Sequence, residues 1–510
     1  MSKPRSSTGA PGEENLHRSL RARHLNMIAI GGAIGTGLLV ASGGSISTAG
    51  PGGALVAYGG IGIMVYLLMQ SLGEMSTWLP TSGSFETWAT RWVSPSFGFA
   101  QGWNYWFNWA ITVAAELVAV AIVMRYWLPG VPAWVWSAIF LALLFLVNAF
   151  TVKGFGETEF WFSLIKVVTV IIFLALGVTM ILGIIGESPG FSNWTTGDAP
   201  FVGGFFGTFG IFIIAGFSFQ GTELLAVAAG EADDPEKTIP RAVRAVFFRI
   251  TLFYIGAIIV IGFLLPYTDP HLLASDVEDV AVSPFTLIFE RAGILGAATL
   301  MNAVILTAIL SAGNSGMYAS SRMLYSMAVS GKAPKIFTRV NSRGIPMYAL
   351  IATTAVGGFA FLTSLIGDGA AYLWLVSVSG LAGFVTWAGV AWCHYKFRRA
   401  FLAQGHKLSE LPFRARFYPA GPIVALAMVL VVIIGQNHEL FRGTASFTSV
   451  LSTYIGLFAF LALWGGHKLV TRKPKVRAQT ADLSRTDKTS TDVVSNATDS
   501  KGTTPKRLQQ

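Results

Sequence analysis

An apolar segment near the N-terminus is interrupted at residues 31–37 by the sequence GGAIGTG, which places four glycines in seven positions. A second apolar segment contains GFSFQGTE at residues 216–223, where two glycines flank polar residues. A glycine in a helix interior costs about 1 kcal/mol relative to alanine, so both helices are expected to unwind locally. Within a membrane, unwound backbone is tolerated only where it lines a protein or water cavity. The two stretches therefore predict a binding site enclosed by membrane helices.

The composition around these two breaks is typical of a membrane protein. The 510 residues are 53% hydrophobic and 12% charged, whereas soluble proteins average roughly 45–50% apolar and about 25% charged. A bilayer core about 30 Å thick requires roughly 20 apolar residues per helix, and twelve such segments are predicted. They lie near residues 24–49, 53–72, 97–127, 132–152, 158–186, 203–229, 241–266, 285–325, 346–366, 371–395, 418–437 and 446–468.

The two breaks fall in the first and the sixth of these segments, which divides the first ten into two sets of five. Because five is odd, the second set has the opposite orientation in the membrane, and an inverted repeat is the simplest interpretation. Each glycine stretch taken alone could instead permit close packing of helices. The sequence predicts an all-α polytopic membrane protein with twelve transmembrane helices, broken helices 1 and 6 and two helices outside the repeat.

The chain is expected to divide into five parts. These are a cytoplasmic N-terminal segment (1–23), a first five-helix repeat (24–186), an inverted second repeat (203–395), helices 11 and 12 (418–468) and a disordered cytoplasmic tail (471–510). The tail is rich in Ser, Thr, Asp, Lys and Arg and lacks an apolar face, so disorder is expected there. The basic N-terminal segment lacks the features of a removable signal peptide.

The positions of Lys and Arg predict that both termini are cytoplasmic. Positively charged loops are retained on the cytoplasmic side of a membrane, and this orientation places 32 of the 36 Lys and Arg residues there. The net charge of +10 is then explained by topology and by attraction to membrane lipids with anionic headgroups. Nucleic-acid binding is therefore not expected. The cluster formed by Lys396, Arg398 and Arg399 is interpreted as holding a helix end at the headgroups.

The sequence lacks the motifs of several kinds of functional site. Its single cysteine, Cys393, excludes an intramolecular disulfide and a CxxC-type metal or redox site. There is no metal-ligand cluster, no GxSxG nucleophile elbow and no GxxxxGK[ST] phosphate loop. An enzyme, an ATP-driven pump and a protein with a resident metal or organic cofactor are therefore not expected.

The chemistry of the breaks matches an amino acid. Freed amides and the positive end of a half-helix bind a carboxylate, while freed carbonyls accept from an ammonium group. Three ionisable residues, Glu116, Lys166 and Glu223, lie deep in predicted spans and are functional candidates by that position. For each acid a structural hydrogen-bonding role is equally open, and the Lys166 side chain could instead snorkel to the membrane interface.

Five motifs carry a resemblance to a known family. They are AIGGAIGTG at 29–37, GWNYW at 102–106, FSLIK at 162–166, GFSFQGTE at 216–223 and SAGNSGMYAS at 311–320. With these motifs the chain resembles the amino acid-polyamine-organocation superfamily and, within it, the lysine permeases of bacteria. The likeness runs from about residue 24 to residue 464. It implies a multi-pass protein of a cell membrane, expected to be a bacterial inner membrane.

The resemblance also implies an activity and a set of site residues. The implied activity is import of L-lysine with protons as the coupling ion, by alternating access. The implied substrate site consists of Ala33, Gly35, Thr36, Gly37, Phe217, Ser218, Gln220 and Gly221. Phe217 is expected to act as an aromatic gate, and Lys166 to take the place that sodium fills in sodium-driven relatives.

The acids in the membrane receive roles on the same basis. Glu116 is expected to pair with the ε-ammonium of lysine, with Glu223 or a neutral oxygen such as that of Ser377 as alternatives. Glu223 is expected to gate or to carry a proton. Three alternative functions stay open: a permease for another amino acid, an exchanger of cationic amino acids and a membrane amino-acid sensor. Nothing in the sequence selects an oligomeric state.

Overall fold

A computed structural model describes residues 23–25, 27, 34–150, 152–272, 283–294, 296–362, 367–437, 440, 443 and 445–485. In those ranges the regular structure is helical and no strand occurs. The described α-helices are α1 (Thr36–Leu39), α2 (Ala41–Trp78), α3 (Ser84–Trp92), α4 (Pro95–Met124), α5 (Ala133–Phe150), α6 (Val152–Ile181), α7 (Ser192–Thr195), α8 (Gly204–Gly210), α9 (Phe212–Phe219), α10 (Leu224–Ala228), α11 (Pro235–Arg249), α12 (Gly256–Leu264), α13 (Pro284–Arg291), α14 (Ala297–Val329), α15 (Met347–Gly357), α16 (Asp368–Ala403), α17 (Ala420–Gly435) and α18 (Phe447–Thr471). A π-helical turn, Ile250–Ile255, joins α11 to α12.

Nine stretches of the described chain are long and apolar enough to cross a membrane. They lie in α2, α4, α5, α6, α8 to α10, α11 to α12, α14, α16 and α18. Two shorter apolar stretches, Met347–Phe361 and Ala420–Gly435, accompany them. The prediction of an all-α polytopic membrane protein is confirmed.

One predicted span is divided into two helices in the structure, and two others meet at a sharp bend. The segment predicted at 285–325 consists of two helices, α13 and α14, because Gly293 and Gly296 between them both adopt a φ of 74°. The first and second predicted spans meet in α2 at Gly50, whose φ of 74° and ψ of 171° are not helical, so the direction of the chain changes sharply between two helical parts. A positive φ is accessible to glycine without steric cost, so these residues permit the sharp changes of direction.

Helix α4 lies at the centre of the molecule and packs mainly against α14 and α16. It begins at Pro95, and the hydroxyl of Ser94 accepts a hydrogen bond from the Phe97 amide at 3.2 Å. Such a cap satisfies one of the amides left free at a helix start. From Ala110 onward the residues of α4 are mostly small or branched and mostly buried, so this half of the helix presents a polar group to its neighbours only at a few positions.

The break predicted at residues 216–223 occurs at its C-terminal half. Helix α9 ends at Phe219, Gln220 has a ψ of 147° and Gly221 has a φ of 97°. Gly216 stays helical, and a Cβ there would collide with the ring of Phe384. Gly221 therefore permits the break, while Gly216 permits close packing of α9 against α16.

The described part of the first break lies directly beside the second. Gly35 is extended, with φ −136° and ψ −155°, and α1 begins at the next residue. A Cβ at Gly37 would lie 2.5 Å from the Cα of Ser218. Both of the glycine functions considered from the sequence, local unwinding and close packing, are therefore used. The remaining glycines of this motif, Gly31 and Gly32, lie outside the described residues.

Residues 472–485, here called the docked tail, follow a defined path across the ends of α2, α3 and α16. The indole N–H groups of Trp78 and Trp92 donate to carbonyl oxygens of the docked tail at 3.0 and 3.1 Å. The side chains of Ala481 and Leu483 are buried. The expectation of disorder is wrong for these residues, because short apolar side chains and backbone carbonyls suffice to dock them. Residues 486–510 lie outside the described chain.

Candidate functional site

A small cavity lies where the two breaks meet helices α4 and α14. Its lining residues are Gly35, Thr36, Gly37, Trp109, Thr112, Glu116, Phe217, Ser218, Gln220 and Ala312. The volume of the cavity is about 20 Å³, which is room for about one water. An organic ligand therefore requires the lining side chains to move apart.

The carboxylate of Glu116 lies on the cavity wall. The hydroxyl of Thr36 donates to its Oε1 at 3.3 Å, and Oε2 has no hydrogen-bond partner among the described residues. The indole nitrogen of Trp109 on the same wall also lacks an acceptor there. Buried polar atoms are nearly always hydrogen-bonded in native proteins. The cavity therefore offers one negative acceptor and one donor to a bound molecule.

A network of neutral side chains fixes Gln220 at the break. Its amide nitrogen donates to the carbonyl oxygen of Ser379 at 3.1 Å. The Ser379 hydroxyl lies 2.6 Å from that of Thr112 and donates to Asn108 Oδ1 at 3.1 Å. Ser379, on α16, is fully buried, whereas Ser377, the serine suggested from the sequence, is exposed. A neutral oxygen near the site thus comes from a position two residues further along the chain.

Two tyrosines hold the end of α9 from the opposite side. The hydroxyl of Tyr58 lies 3.2 Å from the Ser218 hydroxyl, and the hydroxyl of Tyr254 donates to the Ser218 carbonyl at 2.8 Å. Both tyrosines are buried. They satisfy polar groups of Ser218 next to the unwound residues, and Phe217 is left as the large apolar side chain of α9 that lines the cavity.

Lys166 lies behind the cavity rather than on its wall. It is fully buried on α6, and its Nζ donates to the Ser311 hydroxyl on α14 at 2.8 Å. Ser311 precedes Ala312, which lines the cavity. The alternative that Lys166 snorkels to the membrane interface does not fit a fully buried side chain whose ammonium is bonded to a neighbouring helix.

Glu223 is not among the residues that line the cavity. Its carboxylate accepts from the amide of Gly221 at 3.2 Å and from the indole of Trp387 at 3.3 Å. It therefore compensates an amide that the break leaves without a helical partner. Its position supports the structural role that the sequence left open and does not bring it to the ligand cavity.

Seven of the predicted substrate residues meet at one cavity. They are Gly35, Thr36, Gly37, Glu116, Phe217, Ser218 and Gln220. Gly221 lies next to it in the break without lining it, and Ala33 lies outside the described residues. Sequence reasoning missed Trp109, Thr112 and Ala312. The spacing of Trp109, Thr112 and Glu116 at i, i+3 and i+7 places them on one face of a helix, and that spacing was the available signal.

Buried ion pairs away from the cavity were also missed. Arg398 is buried on α16 and donates through Nε to Glu74 of α2 at 2.6 Å, and its NH2 group contacts the same carboxylate. Nε2 of His394 lies 3.1 Å from Glu74. The interpretation of Arg398 as a headgroup anchor is wrong, because its charge is neutralised inside the protein. Arg322 of α14 is paired with Glu231 in the same way, at 3.2 Å.

Comparison with known proteins places the chain in a family. The sequence profile of the family described as amino acid permease matches residues 24–479. The chain belongs to the amino acid permease family. This permease is 56% identical to the lysine-specific permease of Escherichia coli (strain K12), over 94% of the chain and 99% of that protein.

Two further relatives widen the comparison. The lysine-specific permease of Lactococcus lactis subsp. cremoris (strain MG1363) is 50% identical, over 94% of this permease and 95% of that protein. The histidine permease of the same strain is 47% identical, over 93% and 99% respectively. The chain is therefore an amino-acid transporter and a multi-pass membrane protein, not an enzyme. Within the described ranges no group of three or more His, Cys, Asp or Glu residues could hold a metal ion.

Proposed function

We propose that this permease imports L-lysine together with protons by alternating access. The observation that carries the proposal is the Glu116 carboxylate, whose Oε2 lacks a hydrogen-bond partner among the described residues at a cavity between two broken helices. A buried carboxylate is a suitable partner for an ε-ammonium, because an unpaired buried charge is strongly unfavourable. Two of the relatives described above are named lysine-specific permeases.

The two breaks supply the groups for the α-amino and α-carboxylate ends of the substrate. Gly35, with extended backbone, and Gln220, at the unwound end of α9, both line the cavity, and Gly221 follows Gln220 in the break. A cavity with room for about one water must open to admit lysine. Phe217 is the large side chain on the α9 side of the wall, and we assign it the role of the gate.

Protons are the coupling ion in this proposal. Lys166 supplies a titratable group that is isolated from solvent and one residue away, through Ser311, from the cavity wall. Gain and loss of its proton changes the charge beside the cavity, so substrate binding and proton binding influence each other. No metal or organic cofactor takes part.

The proposed setting is a bacterial inner membrane with both termini in the cytoplasm. The docked tail then lies on the cytoplasmic side, together with 32 of the 36 Lys and Arg residues. This is the orientation that the retention of positive loops favours.

Reconstitution in liposomes tests the proposal. The purified protein is offered lysine, histidine and the other common amino acids, with and without an inward proton gradient. Accumulation of lysine above its external concentration, dependent on the gradient, is the expected result. Uptake only when the vesicles contain substrate would indicate an exchanger, absence of accumulation for any amino acid would indicate a sensor, and preferential accumulation of histidine would reassign the substrate.

A further inference from the structure

Lys166 has a buried acidic partner on its own helix that the proposed coupling has not used. Glu159 lies seven residues earlier on α6, which is the same helix face, and is also fully buried. Its Oε1 lies 3.8 Å from Lys166 Nζ. Two buried charges are costly to desolvate, so a pair of this kind is weak evidence for a contribution to stability.

Ser311 bridges the two charges across the interface between α6 and α14. Its hydroxyl donates to Glu159 Oε1 at 2.7 Å and accepts from Lys166 Nζ at 2.8 Å. Both bonds are shorter than the direct distance between the charges. A serine hydroxyl can donate one hydrogen and can accept through its lone pairs. The two hydrogen bonds therefore point the same way, from the ammonium to the hydroxyl and from the hydroxyl to the carboxylate.

The hydrogen-bonded groups of Lys166, Ser311 and Glu159 extend from the cavity toward the start of α6. At one end, Ser311 precedes the cavity residue Ala312. At the other, Glu159 lies two residues after Glu157, whose side chain is 34% exposed. The other charged groups that act on Lys166 are Glu116 of α4 and Arg249 of α11. Among the described residues, Glu159 is the acid that hydrogen bonds connect to Lys166, by way of Ser311.

We infer that Glu159 is the proton acceptor for Lys166 and that Ser311 relays the proton. In this step one Nζ–H bond of Lys166 breaks and a new O–H bond forms on Ser311, while the original Ser311 O–H bond breaks and its proton forms an O–H bond on Glu159 Oε1. Lys166 becomes a neutral amine and Glu159 a neutral acid, so this transfer leaves the net charge of the buried pair at zero. Return of the proton along the same path restores the ion pair.

The inference rests on the proposed function, because it requires that transport be coupled to protons. It adds two residues, Ser311 and Glu159, to the coupling site that contains Lys166. Glu159 also accepts a hydrogen bond from Ser163 at 3.2 Å, and Ser163 does not belong to the path between Glu159 and Lys166. The two serines therefore form a matched pair, one within the relay and one beside it.

The experiment compares Glu159→Gln, Ser311→Ala and Ser163→Ala with the unchanged protein in liposomes. Two properties are measured on each preparation: exchange of labelled lysine at equal pH, which requires no net proton movement, and lysine-dependent proton entry, read with a pH-sensitive dye. For Glu159→Gln and Ser311→Ala we expect proton entry and lysine accumulation to fall by about tenfold or more while exchange continues. Ser163→Ala is expected to keep both properties.

Three outcomes would overturn the inference. Normal proton entry in Glu159→Gln or in Ser311→Ala would show that the relay is not used. Equal losses in Ser163→Ala and Ser311→Ala would show that Glu159 acts by holding the helices together. Loss of exchange together with proton entry in all three variants would have the same meaning. If the unchanged protein itself moves lysine without protons, the proposed function fails before the relay is examined.

Discussion

Among single residues, Glu116 places a carboxylate on the cavity wall and is expected to determine the preference for a cationic side chain. Glu116→Gln should weaken lysine binding by about a hundredfold or more, because removing one partner of a buried ion pair costs about 3–5 kcal/mol and each 1.4 kcal/mol is tenfold. Norleucine has the same head group and carbon chain without the ammonium, so its affinity should change little. Competition binding with both ligands measures the difference.

The control for Glu116 is the other acid near the break. Glu223→Gln keeps an oxygen that can accept from Gly221 and Trp387, so the ratio of lysine to norleucine affinity should stay close to that of the unchanged protein. An unchanged lysine affinity in Glu116→Gln would show that Glu116 is not the partner of the ammonium. Neutral oxygens would then be the candidates, among them that of Ser379, which is buried beside Gln220.

Lys166 is expected to affect coupling more than binding. Lys166→Ala should reduce gradient-driven accumulation by about tenfold or more, because the titratable group beside Ser311 is lost, while lysine affinity changes far less. Binding and uptake are measured on one preparation. Full accumulation by this variant would exclude Lys166 from the coupling site.

The sequence predicted these residues unevenly, for physical reasons. A charged residue in an apolar span is energetically costly and is therefore usually functional, so Glu116 and Lys166 were detectable without a structure. Trp109 could be found only through its spacing from Glu116, because the chain contains 15 tryptophans and the residue type alone does not mark a site. Glu159 lies close to the start of its span, and its burial depends on α14, whose Ser311 is 152 positions away.

Among the helices, the contact between α1 and α9 has no space for a side chain at Gly37. Gly37→Ala should abolish transport, since its Cβ would lie 2.5 Å from the Cα of Ser218. The backbones of α1 and α9 would then have to move apart. Gly37→Val should do the same with a larger displacement. The measurement is lysine uptake, normalised to the amount of protein in the membrane.

Gly44 is the matched control for that substitution. It lies in α2, and a Cβ there meets no other atom within 4 Å. Gly44→Ala should therefore insert and transport like the unchanged protein. Normal uptake by Gly37→Ala would contradict both the close contact and the placement of the site between the two breaks.

The helices illustrate what hydropathy can and cannot predict. The number of apolar segments and the two breaks were readable because lipid requires long apolar helices and glycine weakens them. Which glycine unwinds the helix could not be predicted, since both Gly216 and Gly221 weaken a helix and the packing around each depends on distant residues. In the structure Phe384 on α16 packs against the helical Gly216 and leaves no room for a side chain there, whereas Gly221 has a φ of 97°.

At the scale of the whole molecule, buried ion pairs connect helices that are distant in sequence. Glu74 on α2 accepts from Arg398 on α16 and from the amide of Ala415 at 2.7 Å. The partners are separated by 324 and 341 positions. Composition and hydropathy predicted the class of the molecule, but a residue's partner across the bundle follows from tertiary packing alone.

The docked tail is a second connection of this kind. It joins the ends of α2, α3 and α16 through the indoles of Trp78 and Trp92, the amide of Gln404 and the ion pair between Arg91 and Asp482. A chain that ends after Thr471 loses all of these contacts. At about 1 kcal/mol for each hydrogen bond, its unfolding free energy should fall by a few kcal/mol, and its melting temperature in detergent should fall with it.

A chain that ends after Arg485 is the control, because it keeps the docked tail and removes only residues 486–510. Its melting temperature should equal that of the full chain. Tryptophan fluorescence reports directly on the contact, since Trp78 and Trp92 lose their carbonyl partners only in the shorter chain and their emission should shift to longer wavelength. Equal melting temperatures and equal emission for the two truncated chains would show that residues 472–485 do not hold the helix ends together in solution.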